Sequence, residues 1–164
     1  MITDFYHVAM AVSNMEEALK FYRDILGMRV VRDRRLSGHV LRVMDGVPDS
    51  AVRAVNLSYG GSSEIQLMEW ERKGRPMRPD ALQNDIGLAH AAFYVKDIEK
   101  TYADFKAKGV KFHCPIQVSS TTLKSVSFEG PDGVRLEMLE LGPDWQKAAF
   151  EPFHAPEPGT GGKS

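Results

Sequence analysis

The chain states one pattern twice. Residues 7–22 (HVAMAVSNMEEALKFY) and 90–105 (HAAFYVKDIEKTYADF) align at an offset of 83. His7 falls on His90, Ala9 on Ala92, Val12 on Val95, Asn14 on Asp97 and Glu16 on Glu99. Further on, SEIQLMEW (63–70) resembles VRLEMLEL (134–141) at an offset of 71, which puts Gln66 on Glu137 and Glu69 on Glu140. A repeat of roughly 80 residues is too long for a solenoid unit and points to a duplicated module.

Each copy has a readable order of elements. Phe5 to Val12 alternates as a strand does, and Asn14 is a good N-cap for the helix that follows. Met15, Ala18, Leu19, Tyr22, Ile25 and Leu26 recur at helical spacing, and Gly27 fits the stop. The second copy runs from Leu88 to Val95, then Asp97 as N-cap, Ile98, Tyr102 and Phe105, closing at Gly109. The predicted helices are 14–26 and 97–108. Strand-like runs follow at 28–33, about 38–44, 52–59 and 64–70 in the first copy, and at 110–113, 123–128 and 134–140 in the second. Gly130-Pro131-Asp132-Gly133 is a strong hairpin signal. The expected class is therefore α+β, with β-α-β-β-β modules at 1–70 and 88–141. A polar connector spans 71–87, and a Pro/Gly-rich tail occupies 142–164, where 144–150 could cap the fold.

Composition narrows the partners. Hydrophobic residues make up 43% and charged residues 26%, ordinary for one globular domain of 164 residues. A net charge of -1 offers no positive surplus for nucleic acid or an anionic membrane, so a small molecule is the expected partner. The lone Cys114 cannot form an intramolecular disulfide, and the opening residues do not read as a signal peptide. No stretch reaches the ~18 apolar residues of a membrane helix, so a cytoplasmic location is expected.

Strand parity selects the candidate residues, because alternate side chains face opposite ways. Phe5, His7, Ala9 and Ala11 share one face, while Tyr6, Val8, Met10 and Val12 share the other and should pack under the helix. His90 and Ala92 repeat this against Phe93 and Val95. Gln66 and Glu137 oppose the apolar pairs Ile65/Leu67 and Leu136/Met138. Four polar exceptions thus fall at repeat-related positions, and all are types that ligate divalent metals. Glu64 and Arg135 share their parity and could touch substrate, whereas Glu69 and Glu140 face the other way. His39, in GHVLRV, could exchange a proton near neutral pH. Arg42, Arg53 and Lys124 are further candidates for pairing with an acidic substrate.

Paired modules of this order resemble the vicinal oxygen chelate superfamily, which includes glyoxalase I, methylmalonyl-CoA epimerase, extradiol dioxygenases and bleomycin-resistance proteins. HVAMAVSNMEEALKFYRDILGM and FEGPDGVRLEMLE are similar to that family's opening and closing segments. The resemblance implies a cupped, mostly antiparallel sheet with helices outside, and one divalent ion held by His7, Gln66, His90 and Glu137. The set His, Gln, His, Glu is most similar to methylmalonyl-CoA epimerase; glyoxalase I usually has glutamate in place of Gln66 and often glutamine in place of His7. Co, Ni, Mn, Zn and Fe all suit such donors. Relatives often dimerise, so a homodimer is the assembly to look for.

The ligand set points to a reaction. Two imidazoles, an amide and a carboxylate would leave a divalent ion with a local charge of about +1 and two neighbouring open positions. That suits a substrate with adjacent oxygens, whose enolate would be stabilised in an isomerase, epimerase or lyase. Glu137, or else His39, would move the proton. An extradiol Fe(II) dioxygenase cleaving catechols is one rival, disfavoured because Gln66 would occupy a position it needs for catechol and oxygen. A non-enzymatic antibiotic-sequestering protein is the other, and such proteins generally lack the quartet.

Overall fold

The computed structural model describes residues 4–47, 49–78, 84, 86–87, 89–120 and 123–142, with only the backbone of Val40, Arg42, Ser119 and Ser120. The expected capping segment at 144–150, the tail beyond Gly142 and part of the connector lie outside the described residues.

Both repeats begin alike. In the first, β1 (His7–Ala11) leads through Asn14 into α1 (Met15–Leu19), which continues as a π-helical turn over Lys20–Ile25. The Asn14 side chain accepts hydrogen bonds from the backbone amides of Glu16 and Glu17 at 3.0 and 3.1 Å, satisfying donors that a helix start leaves open. Then come β2 (Arg29–Ser37), α2 (His39–Met44), β3 (Ala51–Ser58) and β4 (Glu64–Trp70). In the second repeat β5 (Ala91–Tyr94) leads through Asp97 into α3 (Ile98–Ala107), followed by β6 (Gln117–Ser120), β7 (Leu123–Glu129) and β8 (Arg135–Leu141). Asp97 accepts from the Lys100 amide at 2.8 Å. The turn over Pro131–Gly133 joins β7 to β8 as expected, with Asp132 and Gly133 at φ of 58° and 79°.

Two expected strands fall elsewhere. Residues 38–44 form the helix α2 instead of a strand, because Gly38 turns the chain at a φ of 89° just past the last β2–β3 pair, Ser37 with Ala51. Beyond that pair the alternation in HVLRV has no ladder to join, and Leu41, 2% exposed, anchors the helix instead. Residues 110–113 contribute a single bridge, Phe112 with Phe128, while the edge strand is β6 further on.

Each module builds its own four-stranded sheet, in the orders β1-β4-β3-β2 and β5-β8-β7-β6. The pairs β1/β4 and β5/β8 are parallel and the rest antiparallel. One apolar core serves both. Met10, Val12, Leu57, Ile65 and Leu67 of the first module belong to the same buried cluster as Ile98, Val126, Phe128, Leu136 and Met138 of the second. The Phe21 ring lies 6.5 Å from Phe128, and the Ser13 amide donates to Asp132 Oδ2 at 2.8 Å across the module boundary. No helix among the described residues is long and apolar enough to cross a membrane.

Phe128 is 1% exposed and packs against Phe21, Phe105 and Phe112. Truncating it to alanine should cost about 3–5 kcal/mol. Because both modules share this core, denaturant curves of F128A read by tryptophan fluorescence and by far-UV circular dichroism should shift together. Separate midpoints would show that the modules unfold independently.

Candidate metal centre

Parity places the polar exceptions as the sequence suggests. Met10 and Val12 are buried in the core, while Ala9 and Ala11, on the face that carries His7, are exposed. Register then shows the duplication in geometry. Ala9 faces Gln66 across the parallel pair β1/β4, and Ala92 faces Glu137 across β5/β8. In each module the histidine stands two residues before that alanine, so His7 is to Gln66 as His90 is to Glu137. The second pair touches directly: His90 Nε2 lies 3.2 Å from Glu137 Oε2, with the side chains 40% and 26% exposed. His7 is half-buried, and its Nδ1 is a buried nitrogen with no hydrogen-bond partner.

The ligand atoms of His7, His90 and Glu137 do not all lie within 4.8 Å of one another. Among the described residues, the one set of three His, Cys, Asp or Glu groups with ligand atoms mutually within 4.8 Å is Asp97, Glu99 and Glu140. That set serves the fold. Glu140 Oε2 accepts from the Ile98 amide at the start of α3, and Lys124 bridges Glu99 and Glu140. This is the work expected of a carboxylate on the helix-facing side of β8. His7 is outside any such group with His90 and Glu137. The fit to a divalent metal is therefore that of two half-sites: an imidazole with an amide, and an imidazole with a carboxylate.

The remaining candidates are dispersed. Glu64, expected at the rim for substrate, is engaged inside the protein. Its Oε2 accepts from Asn56 Nδ2 at 2.8 Å, and both its oxygens bond the Arg32 guanidinium, which also bonds the Tyr6 hydroxyl. Arg32 holds the Glu64 carboxyl below the usual carboxylate range. Arg53 pairs with Asp33 and Glu16, and Lys124 pairs as described. Arg135 keeps ligand parity on β8, next but one to Glu137, and has no ion pair among the described residues. His39 lies on α2, past the end of the sheet where Ser37 meets Ala51, whereas Gln66 faces Asn56. Five residues of β3 separate those rows, about 16 Å at a strand's rise. The expectation that His39 flanks the ligands does not hold, because its segment leaves the sheet as a helix. Arg42 is on the same helix.

Asn56 and Arg32 were not singled out by sequence. A signal existed for the first: Asn56 is the one amide inside the apolar run AVRAVNLS, and a buried amide needs partners. It is fully buried, and its Oδ1 accepts from Gln66 Nε2 at 3.2 Å. A cavity of about 520 Å³ opens along the edge of β1, touching Ala9 and Ala11 on one face, Met10 and Val12 on the other, and Trp70, but none of the four candidate ligands.

Residues 5–138 match the Glyoxalase/Bleomycin resistance protein/Dioxygenase superfamily. The chain belongs to this superfamily. Among its relatives, a "Lactoylglutathione lyase" of Pseudomonas aeruginosa is 27% identical over 146 residues, covering 83% of this chain and 81% of that protein. A "Probable lactoylglutathione lyase, chloroplastic" of Arabidopsis thaliana is 29% identical over 140 residues, and the match covers 84% of this chain but only 35% of that longer protein. A glyoxalase family protein from Bacillus cereus shares the fold, with a TM-score of 0.77 at 17% identity, covering 87% of this chain and 97% of its own. The paired modules are those of the superfamily's vicinal oxygen chelate fold.

The low titration of Glu64 has a consequence for acid stability. A carboxyl whose folded value lies below its ordinary 4.5 adds stability above that pH, and the addition is lost as pH falls through the folded value. Urea midpoints of wild type and Arg32→Met should therefore differ most above 4.5, at about pH 6, and draw together as pH falls below it. A gap that stays constant would show that the ion pair adds nothing.

Proposed function

We propose that this chain is a metal-dependent lyase or isomerase, epimerases included, acting on a small substrate with two adjacent oxygens. We further propose that it works as a homodimer whose metal centres each combine His7 and Gln66 of one copy with His90 and Glu137 of the other. The observation that carries this reading is the repeated register. It pairs His7 with Gln66 and His90 with Glu137 in the same way, and His7 does not join His90 and Glu137 in one close group. The relatives named lactoylglutathione lyase support the reaction class. Exposed aromatics on the ligand-bearing sides, Phe5 at 62% and Tyr94 at 71%, offer apolar surface for a second copy.

A divalent cation bound by this set would draw electron density from both substrate oxygens and make the adjoining C–H acidic. The rest belongs to the protein. Glu137 carries the carboxylate suited to take that proton and return it to a neighbouring carbon, which is isomerisation; epimerisation needs the proton delivered to the opposite face of the same carbon by a second group or by solvent. His90, 3.2 Å from Glu137, orients that carboxylate. The cavity by Ala9 and Ala11 gives the remote part of the substrate a place to lie. Arg135, two residues from Glu137 and facing the same way, suits an acidic group on that substrate. A fourth ligand from Gln66 disfavours the dioxygenase, since it leaves too few positions for catechol and oxygen together.

Subunit complementation tests the shared centre. His7→Ala and Glu137→Ala, each alone, should lose stoichiometric divalent cation and turnover, the latter by at least about 10²-fold. Co-refolded in equal amounts, the two variants should regain both at about a quarter of the wild-type level, because about half of the dimers are mixed and each mixed dimer holds one intact quartet of two. Mixtures that stay inactive while the wild type is a monomer would rule out the shared centre.

The reaction class has its own check. The metal-loaded wild type should exchange a substrate's α-hydrogen with solvent deuterium, tested on 2-oxo and acyl-thioester compounds, and consume no oxygen. Catechol cleavage with Fe(II) and oxygen, without such exchange, would establish the oxygenase instead.

A further inference from the structure

The Gln66 amide has two unlike ends. Its oxygen can ligate a cation, and its NH2 cannot. The side chain is 9% exposed, so bulk water does little to decide which end points where. A directed chain of hydrogen bonds does. The Glu64 carboxylate, held by Arg32, can only accept, so Asn56 must turn its Nδ2 toward it, at 2.8 Å. Asn56 then offers Oδ1 to Gln66, which must answer with Nε2, at 3.2 Å. Gln66 Oε1 is thereby directed away from Asn56. Asn56 has no exposed surface, so it cannot exchange either partner for solvent.

We propose that Asn56 is a positioning residue that fixes Gln66 as an oxygen ligand. We propose also that the Arg32–Glu64–Asn56 chain makes the first half-site select glutamine over glutamate at position 66. This rests on the reading that Gln66 is a ligand. A glutamate there would set a carboxylate against Asn56 Oδ1, acceptor against acceptor. Turning Asn56 round would only move that conflict to Glu64. The selection keeps the quartet's single carboxylate on the second module, at Glu137.

The test is a double-mutant cycle on the metal-free protein, joined to titration with cobalt(II) alone. Gln66→Glu should lower the urea midpoint. Glu64→Gln in the same chain should recover most of that loss, because the glutamine can donate to a reversed Asn56, which in turn donates to the carboxylate at 66. Strictly additive effects would overturn the directed chain. Asn56→Ala should weaken cobalt binding by about 10–100-fold, the range for residues that orient a ligand. Wild-type cobalt affinity in Asn56→Ala, with affinity lost in His7→Ala, would overturn the positioning role and leave the metal centre standing. Wild-type affinity in His7→Ala would remove the metal centre itself, and the ligand role of Gln66 with it. The midpoint cycle does not depend on the metal, so it keeps the two failures apart.

Discussion

Alternation along four strands governs this molecule. In β1 and β4, and again in β5 and β8, one set of alternate side chains is mostly apolar and packs into the common core, as Met10, Ile65, Leu67, Leu136 and Met138 do. The residues between them are consequently turned the other way, and those include His7, Gln66 and Glu137. Burial of the apolar set thus fixes which way the polar set faces. A one-residue slip of either parallel pair would exchange the two faces and remove core and candidate site together.

The same burial joins the modules. Both direct their helix-facing sides into one cluster, where Phe128 meets Phe21 of the first module and Phe105 of the second. The candidate residues lie on the opposite faces, and in the first module that face is itself buried at Val52, Ala54, Asn56 and Gln66. The two modules differ there in charge, with an amide at position 66 and a carboxylate at position 137.

Polar wiring behind the first half-site shows how a buried amide acquires a direction. The order begins at an ion pair, Arg32 with Glu64, and passes through Asn56 to Gln66. Each step is forced by the accept-only character of a carboxylate, so the orientation of the last group is set by charge at the first. In the second module Ser127 stands opposite Glu137 where Asn56 stands opposite Gln66, and His90 meets Glu137 directly.

Much of this is legible in the residues alone. The duplication, the helix starts at Asn14 and Asp97, the Gly130–Gly133 turn and the parity of the four candidate ligands all follow from short-range periodicity. Local hydrogen bonding and side-chain alternation depend on nearest neighbours along the chain. Three matters required the tertiary structure. The run at 38–44 is a helix because the sheet offers it no partner, which the alternation in HVLRV cannot report. Glu64 belongs to an internal network because Arg32, Asn56 and Tyr6 reach it from other positions in the chain. His7 does not join His90 and Glu137 in one close group, and that depends on how two sheets pack. Sequence decides which way a side chain points from its own strand, whereas only packing between elements decides what stands opposite it.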